Sequence, residues 1–70
     1  MIECSRSQLD AVIDEWIIGS HAERNRQILK RRLFDGITFE ALAEEVDMSP
    51  RQVRTIVHRC EEIVFKHVPG

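Results

Sequence analysis

Five polar side chains near the C-terminal end of the sequence recur at spacings that place them on one side of a helix. They are Arg51, Arg54, Thr55, His58 and Arg59, within the segment MSPRQVRTIVHR. A guanidinium group presents a planar fork of donors that fits a phosphate or the edge of a guanine base. Threonine and histidine can contact other base edges or thymine methyl groups. The set therefore indicates recognition of a nucleic acid rather than the making or breaking of bonds.

The charged residues are sorted along the chain in a way that supports this interpretation. Residues 35–47 contain five acids and no base, whereas residues 48–60 contain three arginines and no acid. A helix that enters a DNA groove has phosphates on both sides, so acids are unfavourable there. The formal net charge of −2 argues against non-specific attraction of the whole chain to nucleic acid or to an anionic membrane.

The apolar periodicity predicts two helices in the first half of the chain and no strand. The first should span about 7–18, with Ser5 or Ser7 as its cap and Gly19 at its end. Its apolar face is Leu9, Val12, Ile13, Trp16 and Ile17. The second should span about 21–34, after a capping box from Ser20 to Glu23. Gly36 should end it, and its buried residues should be Ala22, Ile28, Leu29 and Leu33.

Two further helices and a short turn are predicted in the second half. Thr38 should cap a third helix, and Ser49, Pro50 and Gln52 are consistent start signals for a fourth. The expected inward residues of the third helix are Phe39, Leu42, Ala43 and Val46; those of the fourth are Val53, Ile56, Val57, Cys60, Ile63 and Val64. This stripe would let the fourth helix reach about residue 66. It also leaves Arg51, Thr55 and His58 pointing outward, with Arg54 and Arg59 beside them.

The turn between the third and fourth helices contains only Asp47 and Met48 before Ser49. A connection this short predicts a steep crossing, as in a helix-turn-helix. Asp47 should adopt the left-handed conformation, and Ala43 should lie where the two helices approach closely. We therefore expect one all-α domain over residues 1–70, with four helices and a helix-turn-helix at about 38–60. The alternative is a helical hairpin that only builds a core.

The segment RLFDGITFEALAEEVDMSPRQVRTIVHR, residues 32–59, resembles region 4 of bacterial sigma-70-type factors. The piece SPRQVRT is equally similar to the recognition helix of LuxR-type output domains. The resemblance extends over about residues 20–64. Ala41 stands where that family usually has glutamate, and Asp47 where its turn usually has glycine. The 70 residues leave no room for region 2, so we do not expect a complete sigma factor.

The resemblance implies that the matching residues of the fourth helix face DNA and that the second helix docks on RNA polymerase. The candidate DNA-binding residues from the outward face and the resemblance together are Ser49, Arg51, Gln52, Arg54, Thr55, His58 and Arg59. Two hypotheses follow. The first is a sequence-specific binder of double-stranded DNA and transcriptional regulator, from a bacterium or phage. The second is an interaction module that binds RNA polymerase or another transcription factor.

The basic block of the second helix has two interpretations. It is either a solvated face, with Arg32 paired to an acid such as Glu40 or Glu44, or a source of one or two phosphate contacts. Its members are Arg24, Arg26, Lys30, Arg31 and Arg32.

We expect no metal, cofactor or catalytic site. His58 and Cys60 point apart on a helix, and no nucleophile stands beside a base. The sequence alone leaves a disulfide between Cys4 and Cys60 as an alternative, although a reduced protein is the default expectation. No apolar run is long enough to cross a membrane and MIECSRSQ is unlike an export signal, so we expect a cytoplasmic location.

The apolar residues near the end of the first helix and in the C-terminal segment are not all expected in the core. Trp16 is expected in the core, and His67 is expected to be solvated. Ile18, Phe65 and Val68 lie outside the regular stripes, and they predict a homodimer seam that would double the contacts to phosphate.

Overall fold

The computed structural model describes residues 5–68, and these form four α-helices and no strand. The helices are α1 (Arg6–Trp16), α2 (Ala22–Phe34), α3 (Phe39–Val46) and α4 (Pro50–Phe65). The expectation of an all-α chain with four helices is confirmed. Within residues 5–68, no helix combines the length and the apolar composition needed to cross a bilayer.

α2 and α4 form the centre of the packing, because each of them contacts the other three helices. The largest fully buried side chains come from all four helices: Ile13, Ile28, Leu29, Leu42, Val53, Val57 and Val64. Burial of one such side chain contributes roughly 1.5–3 kcal/mol. The buried side of α4 is therefore fixed by the whole core, and its opposite side is left to solvent.

Capping boxes begin α1 and α4. The Ser5 hydroxyl oxygen accepts the Gln8 N–H at 3.2 Å, and the Gln8 side-chain oxygen accepts the Ser5 N–H at 2.9 Å. Ser49 and Gln52 repeat the arrangement at 3.2 and 3.0 Å. Pro50 takes the first position of α4, where its missing N–H leaves no helical bond unmade. The start of α4 at Ser49 is thus fixed by local hydrogen bonds, as predicted.

The corner between α3 and α4 also has the predicted conformation. Asp47 ends α3 with φ 56° and ψ 49°, in the left-handed region that aspartate tolerates better than most residues. The N–H groups of Asp47 and Met48 both donate to the carbonyl of Ala43, the latter at 2.9 Å. A bond that closes six residues in this way is typical of a Schellman motif. Thr38 caps the other end of α3 by accepting the Ala41 N–H at 3.2 Å.

The end of α1 differs from the prediction. The helix stops at Trp16 rather than near residue 18, because Ile17 takes an extended conformation with its side chain buried in the core. Gly19 has the expected positive φ, 111°, but it lies beyond the helix, in the turn that leads to α2.

The capping box predicted for α2 is wrong. His21 is the residue before the helix, and it makes no side-chain capping bond. Its φ of −119° and ψ of 28° are not the extended values of a capped start. The Ala22 N–H, at the first position of the helix, donates to the Gly19 carbonyl at 3.2 Å. Ser20 and Glu23 are consequently not coupled.

The assignment of Trp16 to the core is also wrong. Its side chain is 40% exposed and stacks on His67, with the ring centroids 3.6 Å apart and the planes within 3°. Trp16 is the last residue of α1, and the segment after α4 folds back beside it. His67 is exposed, as expected, and its ring also covers one face of the indole. Val68 packs partly buried against the core, so it does not extend an exposed seam.

Ala43 allows a direct test of the packing at the corner. Its side chain is 2% exposed, so Ala43→Leu should force extra methyl groups into a filled core and lower the free energy of unfolding by about 1–3 kcal/mol. Ala11→Leu, the same change at an exposed position of α1, should stay within about 0.5 kcal/mol of the parent. Equal denaturation midpoints for the two variants would contradict the packing described here.

Candidate nucleic-acid interface

The outer face of α4 lies opposite a stripe of buried residues. Val53, Val57, Cys60 and Val64 are buried, and with about 100° per residue Thr55 lies almost diametrically opposite their mean direction. Five residues fall within about 60° of Thr55 around the helix axis: Arg51, Gln52, His58, Arg59 and Glu62. All the predicted site residues are exposed: Ser49, Arg51, Gln52, Arg54, Thr55, His58 and Arg59. The structure therefore brings them together on one accessible surface, which we call the α4 face.

The three arginines of the α4 face are not neutralised by neighbouring acids. In the part of the chain that the structure describes, the carboxylates that form ion pairs bind Lys30 or Arg31, both on α2. Arg51, Arg54 and Arg59 take part in none of these pairs. Their positive charges are therefore available to an external anion.

Lys30 on α2 shows the contrasting arrangement. Its Nζ lies 2.8 Å from a carboxylate oxygen of Asp10 and 2.8 Å from one of Asp14, residues one turn apart on α1. The hydrogen bonds to Asp10 and Asp14 raise the pKa of Lys30. This lysine is therefore fully engaged in joining α2 to α1.

Arg31 likewise joins α2 to α3. Its guanidinium donates from Nε to a Glu45 carboxylate oxygen at 3.0 Å, from Nη2 to the other Glu45 oxygen, and from Nη1 to Asp35 at 2.7 Å. The hydrogen bonds with Glu45 and Asp35 raise the pKa of Arg31, and the bond from Arg31 lowers the pKa of Glu45. Glu45 of α3 thus binds α2 rather than opposing the arginines of α4.

The other basic residues of α2 are bonded within the fold as well. Arg26 Nε donates to the Ile17 carbonyl at 2.7 Å, and Arg24 donates to the Asn25 side chain at 3.2 Å. Arg32 Nη1 donates to the carbonyl of Ile37 at 2.8 Å.

The ion pair expected between Arg32 and Glu40 or Glu44 is therefore wrong. The backbone of the loop after α2 lies within reach of Arg32, and both glutamates are exposed to solvent. The surface of α2 is consequently a poorer candidate for phosphate contacts than the α4 face.

Phe39 is a residue of the site that the sequence interpretation missed. The guanidinium carbons of Arg32 and Arg54 lie 4.4 and 5.4 Å from the centroid of its ring. A guanidinium over an aromatic ring is held by the ring quadrupole, and its donors stay free at the edges. Phe39 therefore orients Arg54 without neutralising it. Helical periodicity marks Phe39 only as a core position, so no sequence pattern indicated this contact.

Ser49 and Gln52 have less bonding capacity to offer than the prediction assumed. Each is a member of the capping box, and the Ser49 hydroxyl also lies 3.2 Å from the Gln52 side-chain oxygen. The Gln52 amide NH₂ group is the donor that this arrangement leaves over. The positive end of the α4 dipole adds to the attraction for an anion at this point.

The remaining concave and reactive features do not form a competing site. One large hollow lies between α1 and α2, where Asp10 and Asp14 already bind Lys30. Within residues 5–68, no three His, Cys, Asp or Glu side chains lie together in an arrangement that could hold a metal ion. Cys60 is buried, which raises the pKa of its thiol, while His58 faces solvent. The disulfide alternative involves Cys4, which lies outside the described residues.

Comparisons with known proteins give no relative: no family model, curated protein or solved structure matches this chain. A functional assignment must therefore come from the charges and the geometry of the α4 face.

The bond between Arg31 and Glu45 predicts a pH dependence of stability. Because the folded-state pKa of Glu45 is lowered, its contribution to the free energy of unfolding is present above about pH 4.5, its ordinary pKa. That contribution is lost as the pH falls through the lower pKa of the folded state. We expect Glu45→Gln to melt below the parent protein at pH 7, with the difference narrowing as the pH falls below the ordinary pKa of glutamate.

Thermal melts of the parent, Glu45→Gln and Glu44→Gln from pH 3 to 7 would measure this. Glu44 is the exposed neighbour and forms no ion pair within residues 5–68, so its substitution should leave the melting curve nearly unchanged. A Glu45→Gln deficit that stays constant across the range would contradict the assignment.

Proposed function

We propose that this protein binds double-stranded DNA sequence-specifically, with α4 in the major groove, and that it regulates transcription. α3 and α4 would then act as a helix-turn-helix at about residues 38–60. The observation that carries the proposal is the division of basic residues. Those of α2 are bonded within the fold, whereas Arg51, Arg54 and Arg59 are exposed on α4 without an ion pair in residues 5–68.

The arrangement of the α4 face suits a helix lying in the major groove. Arg51 and Thr55, near the start of the helix, would approach the base edges. Arg54, on one flank of the α4 face, and Arg59, on the other side of Thr55, would approach the phosphates that border the groove. Glu61 and Glu62 follow only in the later part of α4, which would lie away from the duplex. The helix start thus combines donors, positive charge and the absence of acids.

The resemblance of residues 20–64 to sigma-70 region 4 and to LuxR-type output domains supports the same proposal. The resemblance rests on the segment of residues 32–59, in which the fourth helix begins at Ser49 with Val53 four residues later, and the capped start at Ser49 agrees with it. Asp47 fills the left-handed position that glycine usually occupies in that family. A regulator of this kind acts in the cytoplasm of a bacterium, or of one infected by a phage.

A second candidate function is supported by large apolar side chains that are exposed at the end of α1, in the turn after it and at the end of α4. Trp16, Ile18 and Phe65 are 40, 73 and 52% exposed, and we call them the apolar end surface. Apolar patches of this kind mark sites of protein association. The alternative function is therefore an interaction module that binds RNA polymerase or another transcription factor instead of DNA.

Within the DNA-binding proposal, a second copy of this chain would cover the apolar end surface. Glu15 adjoins Trp16 and Lys66 adjoins Phe65, and both charged residues are exposed. A patch bordered by one acid and one base can pair with itself across a twofold axis, as homodimer interfaces require. A dimer would also double the phosphate contacts of a small domain.

The DNA-binding proposal is tested with a duplex recovered by selection from a random library. The logarithm of the association constant should fall linearly with the logarithm of the salt concentration, and each lost phosphate contact should reduce that slope by about 1. Loss of a guanine contact should weaken binding by about 1–3 kcal/mol at one base position. We therefore expect Arg51→Ala and Arg54→Ala to bind more weakly, as measured by fluorescence anisotropy.

Arg24→Ala supplies a control of equal charge, because Arg24 lies on α2 and is bonded to Asn25. It should bind the selected duplex nearly as the parent does. Failure to enrich any duplex, or equal binding by all three variants, would overturn the proposal and favour the interaction module.

Homodimer formation is tested by sedimentation equilibrium of the parent and of Phe65→Lys. Placing a charge in the apolar end surface should shift the population from dimer to monomer, and the selected duplex should be a palindrome for the parent. His21→Lys, at an exposed position outside this surface, should sediment as the parent does. A parent that stays monomeric at high concentration would contradict the homodimer.

A further inference from the structure

Thr55 lies at the middle of the α4 face, and its hydroxyl group is turned inward. The side-chain oxygen lies 3.0 Å from the carbonyl oxygen of Arg51, four residues earlier, and donates its proton there. This bond between a threonine and the preceding turn is common in helices. It leaves the γ-methyl group as the outward part of an exposed side chain.

We propose that Thr55 confers base specificity through this methyl group, by apolar contact with the 5-methyl group of a thymine. The inference rests on the proposed DNA-binding function and names the base chemistry that the site selects. Thymine is the only base that presents a methyl group in the major groove, so a methyl-lined surface discriminates for it.

The surroundings of Thr55 on one side favour an apolar contact. A shallow hollow there is lined by Met48, Arg51, Gln52, Thr55 and Ile56. Met48 and Ile56 are partly buried against the core, and each keeps part of its side chain at the surface. The Thr55 methyl therefore continues an apolar strip that begins at the α3–α4 corner. A thymine methyl entering this hollow would lose contact with water on several sides.

The other side of Thr55 has a different character. Arg54, His58, Arg59 and Glu62 line the neighbouring hollow, and all four side chains are polar and exposed. Thr55 is thus the residue where an apolar strip meets a basic surface. In a bound duplex we therefore expect a thymine beside Thr55, and next to it the base pairs or phosphates that the arginines contact.

A competing role for Thr55 uses its hydroxyl oxygen, which can still accept a hydrogen bond from an amino group of adenine or cytosine. Two substitutions separate the roles because each removes one γ-group. Thr55→Val keeps the methyl and replaces the hydroxyl with a second methyl, whereas Thr55→Ser keeps the hydroxyl and removes the methyl. Thr55 is exposed on the helix, so both variants should melt close to the parent.

The experiment uses the full chain and a duplex recovered by selection from a random library. Each thymine of that duplex is replaced in turn by deoxyuridine, which removes only the 5-methyl group. We expect one position at which deoxyuridine weakens binding of the parent by about fourfold, the value for burial of one methyl-sized group. Thr55→Val should show the same loss at the same position. Thr55→Ser should bind the original duplex more weakly and should no longer distinguish thymine from deoxyuridine there.

The opposite pattern would overturn the inference. If Thr55→Ser binds and discriminates as the parent does while Thr55→Val loses affinity, the hydroxyl oxygen makes the contact. If no position is sensitive to deoxyuridine although the duplex binds with the expected salt dependence, this inference fails and the proposed function stands. If no duplex binds at all, the proposed function fails and the role of Thr55 fails with it.

Discussion

The corner between α3 and α4 is the constraint on which the arrangement of this protein depends. Three residues, Asp47 to Ser49, connect the two helices, and the left-handed conformation of Asp47 lets two N–H groups share the Ala43 carbonyl. A capping box at Ser49 then starts α4 at once. With its start fixed, α4 buries one stripe in the core against the other three helices. The opposite stripe, centred on Thr55, has no element of the described chain against it and stays exposed.

Electrostatics gives that exposed stripe its character. The chain has more acids than bases, yet its ion pairs within residues 5–68 draw acids from α1, α3 and the end of α2 onto Lys30 and Arg31. Exposed ion pairs contribute little to stability individually, about 0–1 kcal/mol. None of these pairs involves Arg51, Arg54 or Arg59, so the arginines of α4 keep their charge available. The sorting of charges along the sequence therefore corresponds to a separation between bases that join helices and bases that face outward.

The features that depend on local chemistry were predictable from the sequence. The start signals at Ser49, the left-handed Asp47 and the exposure of Arg51, Thr55 and His58 follow from neighbouring residues and from helical periodicity. The errors arose where a contact outside the periodic pattern decides the outcome, one between distant segments and two with nearby backbone carbonyls. Trp16 stacks on a residue that follows α4, Ser20 loses its capping role to a backbone bond, and Arg32 bonds to a loop carbonyl. The contact between Phe39 and Arg54 and the rotation of the Thr55 hydroxyl leave no periodic signal. That the α4 face contacts DNA stays a prediction.

The most direct test of this account is the NMR spectrum of ¹⁵N-labelled protein titrated with a duplex recovered by selection. Such a titration locates the bound surface residue by residue. The account predicts that the largest amide shift changes fall between residues 49 and 59 and that they diminish as salt is added. Small changes are expected on α2. Changes centred on α2 or on the apolar end surface, with residues 49–59 unaffected, would contradict it.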